Sequence, residues 1–318
     1  MGVTISDRRG QIKMAIARVP ALDRTVRRLQ RADAIAHLKL RWQSLEEQLT
    51  AVLAGKAQSG AQKSVISDRL GLLLYQCNIC GRQNERAVTD LQREGSSCVR
   101  CGSSVRCRGV VHALSTALFN RSISIPDFPS RPDIVGCGLT DWEGYAGPLA
   151  QKLSYRNTFY HTEPFLDITN VPTSDAESLD FLISSDVFEH VRPPVRSAFE
   201  NSRKLLKPTG VFILTVPYGL QPETIEHFPN LHNFQVVGDG DERRLVNDTS
   251  EGTSETFSNL VFHGGAGSTL EMRVFSKDNL LSDLREAGFS RVTICSDPCF
   301  EHGIFWWSPW SLPIIARP

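Results

Sequence analysis

Four cysteines carry the most specific chemistry in this chain: Cys77 and Cys80, followed by Cys98 and Cys101. Each Cys-x-x-Cys pair can present two thiolates to one tetrahedral ion from a tight turn. Gly81 and Gly102 directly follow the second cysteine of each pair, where the backbone has to turn under the metal. With 17 residues between the pairs, the spacing reads as a four-cysteine zinc ribbon. Such a site is closed by its own ligands, so it holds a fold or a partner together and performs no chemistry. Two disulfides, or an iron–sulfur cluster on the same ligands, are the alternatives. Cys107 is a spare thiol, and Cys137, Cys295 and Cys299 read as small buried hydrophobes.

A second constellation begins at Gly136-Cys-Gly138. A glycine turn at the end of an apolar strand lets a cofactor approach the backbone, with the N-terminus of the next helix beyond it. Glu163 stands at the expected end of the following strand, where a carboxylate can hold ribose hydroxyls. Asp167 precedes the apolar Ile168, a pair suited to an adenine amine and a wall for its ring. The plain readings are a surface carboxylate for Glu163 and a turn cap for Asp167.

The elements that must position these groups alternate between strand and helix. Pro132–Gly138 reads as a strand, followed by a helix over about 142–153 and a strand Asn157–Glu163. Leu179–Ser185 is a third strand, and a helix from about Pro194 to Leu206 leads to strand Val211–Val216. Ser276 caps a helix over 277–287, Gly288 stops it, and Val292–Cys295 is the last strand. The fold class is α/β, a Rossmann-like parallel sheet with helices on both faces. An insertion over about 219–270 is too long for a mere connection. The expected organisation is 1–65 for a basic amphipathic helix and linker, 66–130 for the ribbon and its following helix, and 131–318 for the α/β domain.

Composition narrows the function. The 318 residues are 41% hydrophobic and 22% charged, with a formal net charge of zero. That balance hides an asymmetry: 12 basic against 5 acidic residues over 1–65, 8 against 5 over 66–130, and 15 against 25 over 131–318. No apolar run reaches the roughly 18–20 residues of a membrane span. The first thirty residues are dotted with arginine and lack an apolar stretch of the secretory kind, so a cytoplasmic location is expected. Leu22, Val26, Leu29 and their successors to Val52 form a helical stripe, which favours a homo-oligomer contact over a phosphate- or lipid-binding face.

Three longer motifs resemble the class I S-adenosylmethionine-dependent methyltransferases over Asp133 to about Ser296. They are Leu179-Asp-Phe-Leu-Ile-Ser-Ser-Asp-Val-Phe-Glu-His-Val191, Leu206-Lys-Pro-Thr-Gly-Val-Phe-Ile-Leu-Thr-Val-Pro217, and Arg273-Val-Phe-Ser with Leu284-Arg-Glu-Ala-Gly-Phe289. The resemblance implies that Gly136 and Gly138 pass the methionine end of the cofactor, Glu163 binds ribose, and Asp167 with Ile168 holds adenine. It places Ser185 and Asp186 along the cleft. Ile134 stands where the family often has an acid, and Thr140 replaces the third glycine of the turn.

If a helix starts at Asp186, then Asp186, Glu189 and His190 share one face and can act in catalysis or hold a magnesium-type ion. Small-RNA 2′-O-methyltransferases and the ubiquinone-pathway O-methyltransferases carry a similar Glu-x-x-Glu-His motif for such ions. Where the RNA enzymes supply a later histidine, this chain has Glu271. Many family members have Glu-His without a metal, and His190 then faces substrate as a base or hydrogen-bond donor. His227, His232 and His263 lie in or beside the insertion, which in this fold commonly forms a substrate lid. Trp306, Trp307 and Trp310 read as a packing flap. The expected activity is methyl transfer to an oxygen or nitrogen of a small molecule or glycan. An RNA methyltransferase gripping phosphates with the ribbon and the basic helix is the alternative, and a −10 catalytic half weighs against it. A scaffold that has lost activity is the third reading.

Overall fold

The computed structural model describes residues 66–67, 72–263 and 269–318. The expected amino-terminal helix, with its oligomer stripe, lies outside the described residues. The ribbon is a small antiparallel sheet of β1 (Ile66–Ser67), β2 (Leu72–Gln76) and β3 (Gln83–Ala87). Alternation buries Leu73 and Tyr75 on β2 and exposes Leu74. α1 (Val105–Phe119) follows, and the Ser104 side chain caps it by accepting from the Cys107 N–H. The helix ends where Asn120 adopts a left-handed conformation.

The main sheet contains β4 (Arg131–Leu139), β5 (Leu153–Thr158), β6 (Leu179–Ser185) and β7 (Leu206–Thr215), all mutually parallel. Helices α2 (Glu143–Ala150) and α3 (Arg196–Leu205) connect or cover these strands. Phe181, Leu182, Ile183, Phe212, Ile213 and Leu214 have no exposed surface, as continuous apolar runs in a doubly covered strand require. Between β7 and α4 (Lys277–Glu286) the insertion folds on a core of its own: Phe228, Leu245, Leu270 and Met272. It holds short strands β8 (Tyr218–Gly219) and β9 (Ile225–Glu226), then a meander of β10 (Asn233–Val237), β11 (Arg244–Asp248) and β12 (Ser254–Phe257). The hairpin β13 (Phe262–His263) with β14 (Thr269–Leu270) leads to β15 (Arg273–Ser276). Ser276 caps α4 through the Asn279 N–H, and Gly288 past its end has φ +97°, both as the sequence predicts.

The sheet closes with β16 (Arg291–Ile294) and β17 (Ile314–Arg317) in the order β16-β17-β7-β6-β4-β5. β17 inserts antiparallel between β7 and β16, so the last strand of the chain is Ile314–Arg317 and not Val292–Cys295. β5 also departs from expectation. Leu153 and Tyr155 point inward, so the strand ends at Thr158, and Glu163 lies in the loop beyond it. Asp186 begins no helix: a short 3-10 turn over Phe188–His190 stands there.

The ribbon and the sheet share one compact unit. α1 packs on β7 and β17. Trp306 is buried against Gly109 of α1, and the Trp307 indole N–H donates to the Leu91 carbonyl at 3.0 Å. Among the described residues no helix is long and apolar enough to cross a membrane.

Candidate active site

The four ribbon cysteines converge as their spacing predicts. Gly81 (φ +73°) and Gly102 (φ +72°) each donate their N–H back to the first cysteine carbonyl of their own pair, at 2.8 and 3.0 Å. The two turns face each other, with Cys77 Sγ 3.7 Å from Cys101 Sγ and Cys80 Sγ 3.6 Å from Cys98 Sγ. None of the eight cysteines forms a disulfide. With Zn–S bonds of about 2.3 Å, tetrahedral sulfurs stand about 3.8 Å apart, so the donor set fits zinc.

The chain runs from β4 to β5 on one side, then crosses to β6 on the other. The carboxyl ends of β4 and β6 therefore form a topological switch point, where open parallel sheets bind ligands. Gly136 and Gly138 lie inside β4, before that edge. A Cβ on Gly136 would stand 2.0 Å from the Phe181 ring, and one on Gly138 1.9 Å from the Tyr155 hydroxyl. Both positions are thus constrained by the protein's own side chains. Gly136→Ala is expected to destabilise the fold by about 1–3 kcal/mol through overpacking, and Phe181→Leu should recover part of it. Urea unfolding of the single and double variants measures this, and an additive result would separate the two residues.

At the turn itself Thr140 holds φ +55°, the conformation a third glycine would supply. Asp141 is buried below it and accepts from Tyr145 at 2.8 Å and Tyr155 at 2.6 Å. Burial outweighs those bonds and pushes its pKa up to about 7. On the far side of the turn, Glu163 is exposed and accepts from the Phe165 N–H at 2.9 Å. Asp167 caps Thr169 through the N–H and the hydroxyl, and Ile168 is buried.

Ser185 and Asp186 end β6. Asp186 holds φ +56° and its carboxylate is fully engaged: Arg93 donates twice, at 3.0 and 2.9 Å, and Thr215 donates at 2.9 Å. Arg106 Nε lies 3.0 Å from the same carboxylate, and Arg106 also donates to Ser185 Oγ at 2.6 Å. Burial alone would raise the Asp186 pKa, but the two guanidiniums override it and hold the group ionised far below the usual carboxylate range. Asp186 therefore ties the ribbon and α1 to the cleft and does not join Glu189 and His190 in one ligand set.

Glu189 has no exposed surface, and neither carboxylate oxygen has a hydrogen-bond partner. Burial, reinforced by the Asp186 charge, drives its pKa well up. Its Oε1 stands 3.7 Å from His190 Nε2 and 3.9 Å from His263 Nδ1. The third group of this cluster is thus His263 from the insertion, in place of Asp186.

Residues 151–214, from β5 through β7, match the family model described as a methyltransferase domain. That stretch, about a fifth of the chain, is similar to a methyltransferase domain. Parts of the chain are also similar to solved structures at low identity. DesVI of Streptomyces venezuelae is 10% identical, with 66% of this chain and 92% of that chain covered and a TM-score of 0.35. The glycopeptide N-methyltransferase MtfA, in complex with S-adenosylmethionine, is 12% identical, with 66% and 93% covered and a TM-score of 0.35. The sugar N-methyltransferase KedS8 from Streptoalloteichus sp. is 10% identical, with 66% and 87% covered and a TM-score of 0.36. No curated protein matches the sequence.

The chain fixes its Glu189–His190 turn through the fully buried Arg273. That guanidinium donates to the carbonyls of Phe188 at 2.8 Å and Val191 at 2.6 Å, and to Glu226 at 2.6 Å. The Met272 N–H adds a bond to the Glu189 carbonyl at 2.8 Å. Arg93 and Arg106 carry no mark in the sequence, because an isolated arginine has no local pattern, and Arg273 stands there only as the first residue of a strand motif. His227 and Glu271 do meet, at 2.9 Å, whereas His232 lies apart from the cluster.

Proposed function

We propose that the chain transfers the methyl group of S-adenosylmethionine to an oxygen or nitrogen of a small-molecule or glycan acceptor. One observation carries this reading: the carboxyl ends of β4 and β6 form a topological switch point beside the Glu189–His190 turn, against which the insertion packs. The sulfonium of the cofactor is already activated, so alignment of acceptor, methyl and sulfur supplies most of the rate. A proton leaving the acceptor passes to the polar cluster at that turn. The Thr140–Asp141 turn and the β6 end receive the methionine side, with Gly136 and Gly138 holding β4 in place beneath them. Glu163 holds the ribose, and Asp167 with Ile168 flanks the adenine. The excess of acid over 131–318 favours an acceptor without phosphates. Zinc in the four-cysteine cluster serves the fold, since four protein thiolates leave no open position.

The test is transfer of labelled methyl from the cofactor to cell extracts separated into RNA, protein and glycan or small-molecule fractions. Label in the last fraction is the expected result, and label confined to RNA would overturn the acceptor class. Glu163→Ala should weaken cofactor binding by about 1.5–3 kcal/mol, the scale of a charge-assisted hydrogen bond to a ligand hydroxyl. Calorimetry showing wild-type affinity would reduce Glu163 to a turn cap.

A further inference from the structure

The geometry points to a second metal site, distinct from the ribbon: a divalent cation held by Glu189, His190 and His263. Three separate observations converge on it.

The first is distance. One ligand atom from each residue lies within 4.8 Å of the others. A tetrahedral ion with donor bonds of about 2.1 Å holds its donors about 3.4 Å apart. The pairs at 3.7 and 3.9 Å are wider by a few tenths, which small side-chain rotations close.

The second is the state of Glu189. A fully buried carboxyl group with two unpartnered oxygens is rare, because leaving such a group unsatisfied is strongly unfavourable. A cation against Oε1 satisfies it.

The third is what lies behind the rings. The His190 Nδ1–H donates to the Leu270 carbonyl at 2.9 Å, which fixes the tautomer and turns Nε2 toward Glu189. His263 Nε2 meets Glu271 at 3.0 Å, which places Nδ1 on the Glu189 side. The other Glu271 oxygen accepts from His227 Nε2 at 2.9 Å, so the carboxylate is locked in place. A carboxylate or carbonyl behind each imidazole is the arrangement that orients metal-ligating histidines. The two rings cross nearly at right angles, with centroids 4.9 Å apart.

Two imidazoles and one carboxylate suit manganese, iron, cobalt or zinc better than magnesium or calcium. Three protein donors also leave coordination positions for water or an acceptor oxygen, unlike the closed ribbon. His190 acts here as a ligand.

The experiment uses the full chain with its ribbon loaded, counted by elemental analysis and then titrated with MnCl2 while the signal of free Mn2+ is followed by electron paramagnetic resonance. Binding of about one Mn2+ per chain is expected, or two tightly held metals per chain as isolated. Glu189→Gln and His263→Ala should each weaken Mn2+ uptake at least tenfold, or remove the second metal, while the ribbon metal stays. His263 is partly exposed and lies in a short hairpin, so its variant tests the site even if Glu189→Gln fails to fold. A chain that holds only the ribbon metal and takes up no Mn2+, Co2+ or Zn2+ would overturn the site. So would uptake that is unchanged in both variants.

Discussion

Cys98→Ser is expected to release the ribbon metal and to loosen the protein far beyond the ribbon. A closed thiolate site forms only on folding, so its binding free energy is folding free energy. The ribbon is also stitched to the catalytic unit by a fully buried Arg108. That guanidinium donates to Ser97 Oγ and the Ser103 carbonyl on the ribbon side, and to the carbonyls of His302 and Gly303 on the other, all at 2.8–2.9 Å. Its face also covers the Tyr75 ring, 4.9 Å from the centroid. Arg93 adds a bond to the Ser311 carbonyl at 2.9 Å. When the knuckles open, these donors lose the geometry that satisfies them. Loss of a structural metal with its buried network belongs to the rare substitutions costing about 4 kcal/mol or more. For a unit of this size that lowers the melting temperature by roughly 10 °C. Elemental analysis and thermal unfolding read both effects. Metal-free protein that melts with the wild type would remove the structural role of the ribbon.

Asp186→Ala should be nearly as damaging, because it removes the more buried of the two carboxylates that Arg93 and Arg106 share, leaving only the exposed Glu94. Arg93 and Arg106 are both largely buried, and Asp186 is their buried common counter-ion beside the exposed Glu94. Breaking a buried ion pair by removing one partner costs about 3–5 kcal/mol. The pH dependence has a definite sign. The folded pKa of Asp186 is depressed, so its contribution to stability is complete above the ordinary carboxylate range and is lost as the pH falls below it. Asp186→Asn removes the charge while keeping the shape, so its stability should vary less than that of the wild type between neutral pH and about pH 3. Urea unfolding at the two pH values checks this. Parallel curves for the two proteins would show that the Arg93–Asp186–Arg106 contact is not coupled to folding.

The ribbon was fully legible in the sequence, because everything it needs is local: each knuckle is a Cys-x-x-Cys-Gly turn whose closing hydrogen bond spans four residues. The central strands were legible for a similar reason. Phe181–Ile183 and Val211–Leu214 are unbroken apolar runs, and only a strand covered on both faces can use them. The Ser276 cap and the Gly288 stop are also local signals. Where a segment owes its conformation to a neighbour, the sequence misled. Ile314–Arg317 is too short to announce itself, and becomes a strand because β7 and β16 leave a slot between them. β5 was placed too late because Tyr155, which anchors it against Phe181, looks in isolation like any aromatic residue.

The candidate site divides along the same line. Glu189 and His190 were visible as adjacent residues, and the choice of a third group was not. Asp186 is three positions away and faces Arg93 and Arg106, because the chain turns through a left-handed residue there instead of starting a helix. His263 reaches the cluster from an insertion that folds on its own core, with Glu271 behind it. The residues within a turn of one another are set by backbone geometry, which sequence spacing encodes. Charges from distant segments meet only where burial of Phe228, Met272 and Arg273 draws the insertion onto the end of β6, and that choice belongs to the packed structure.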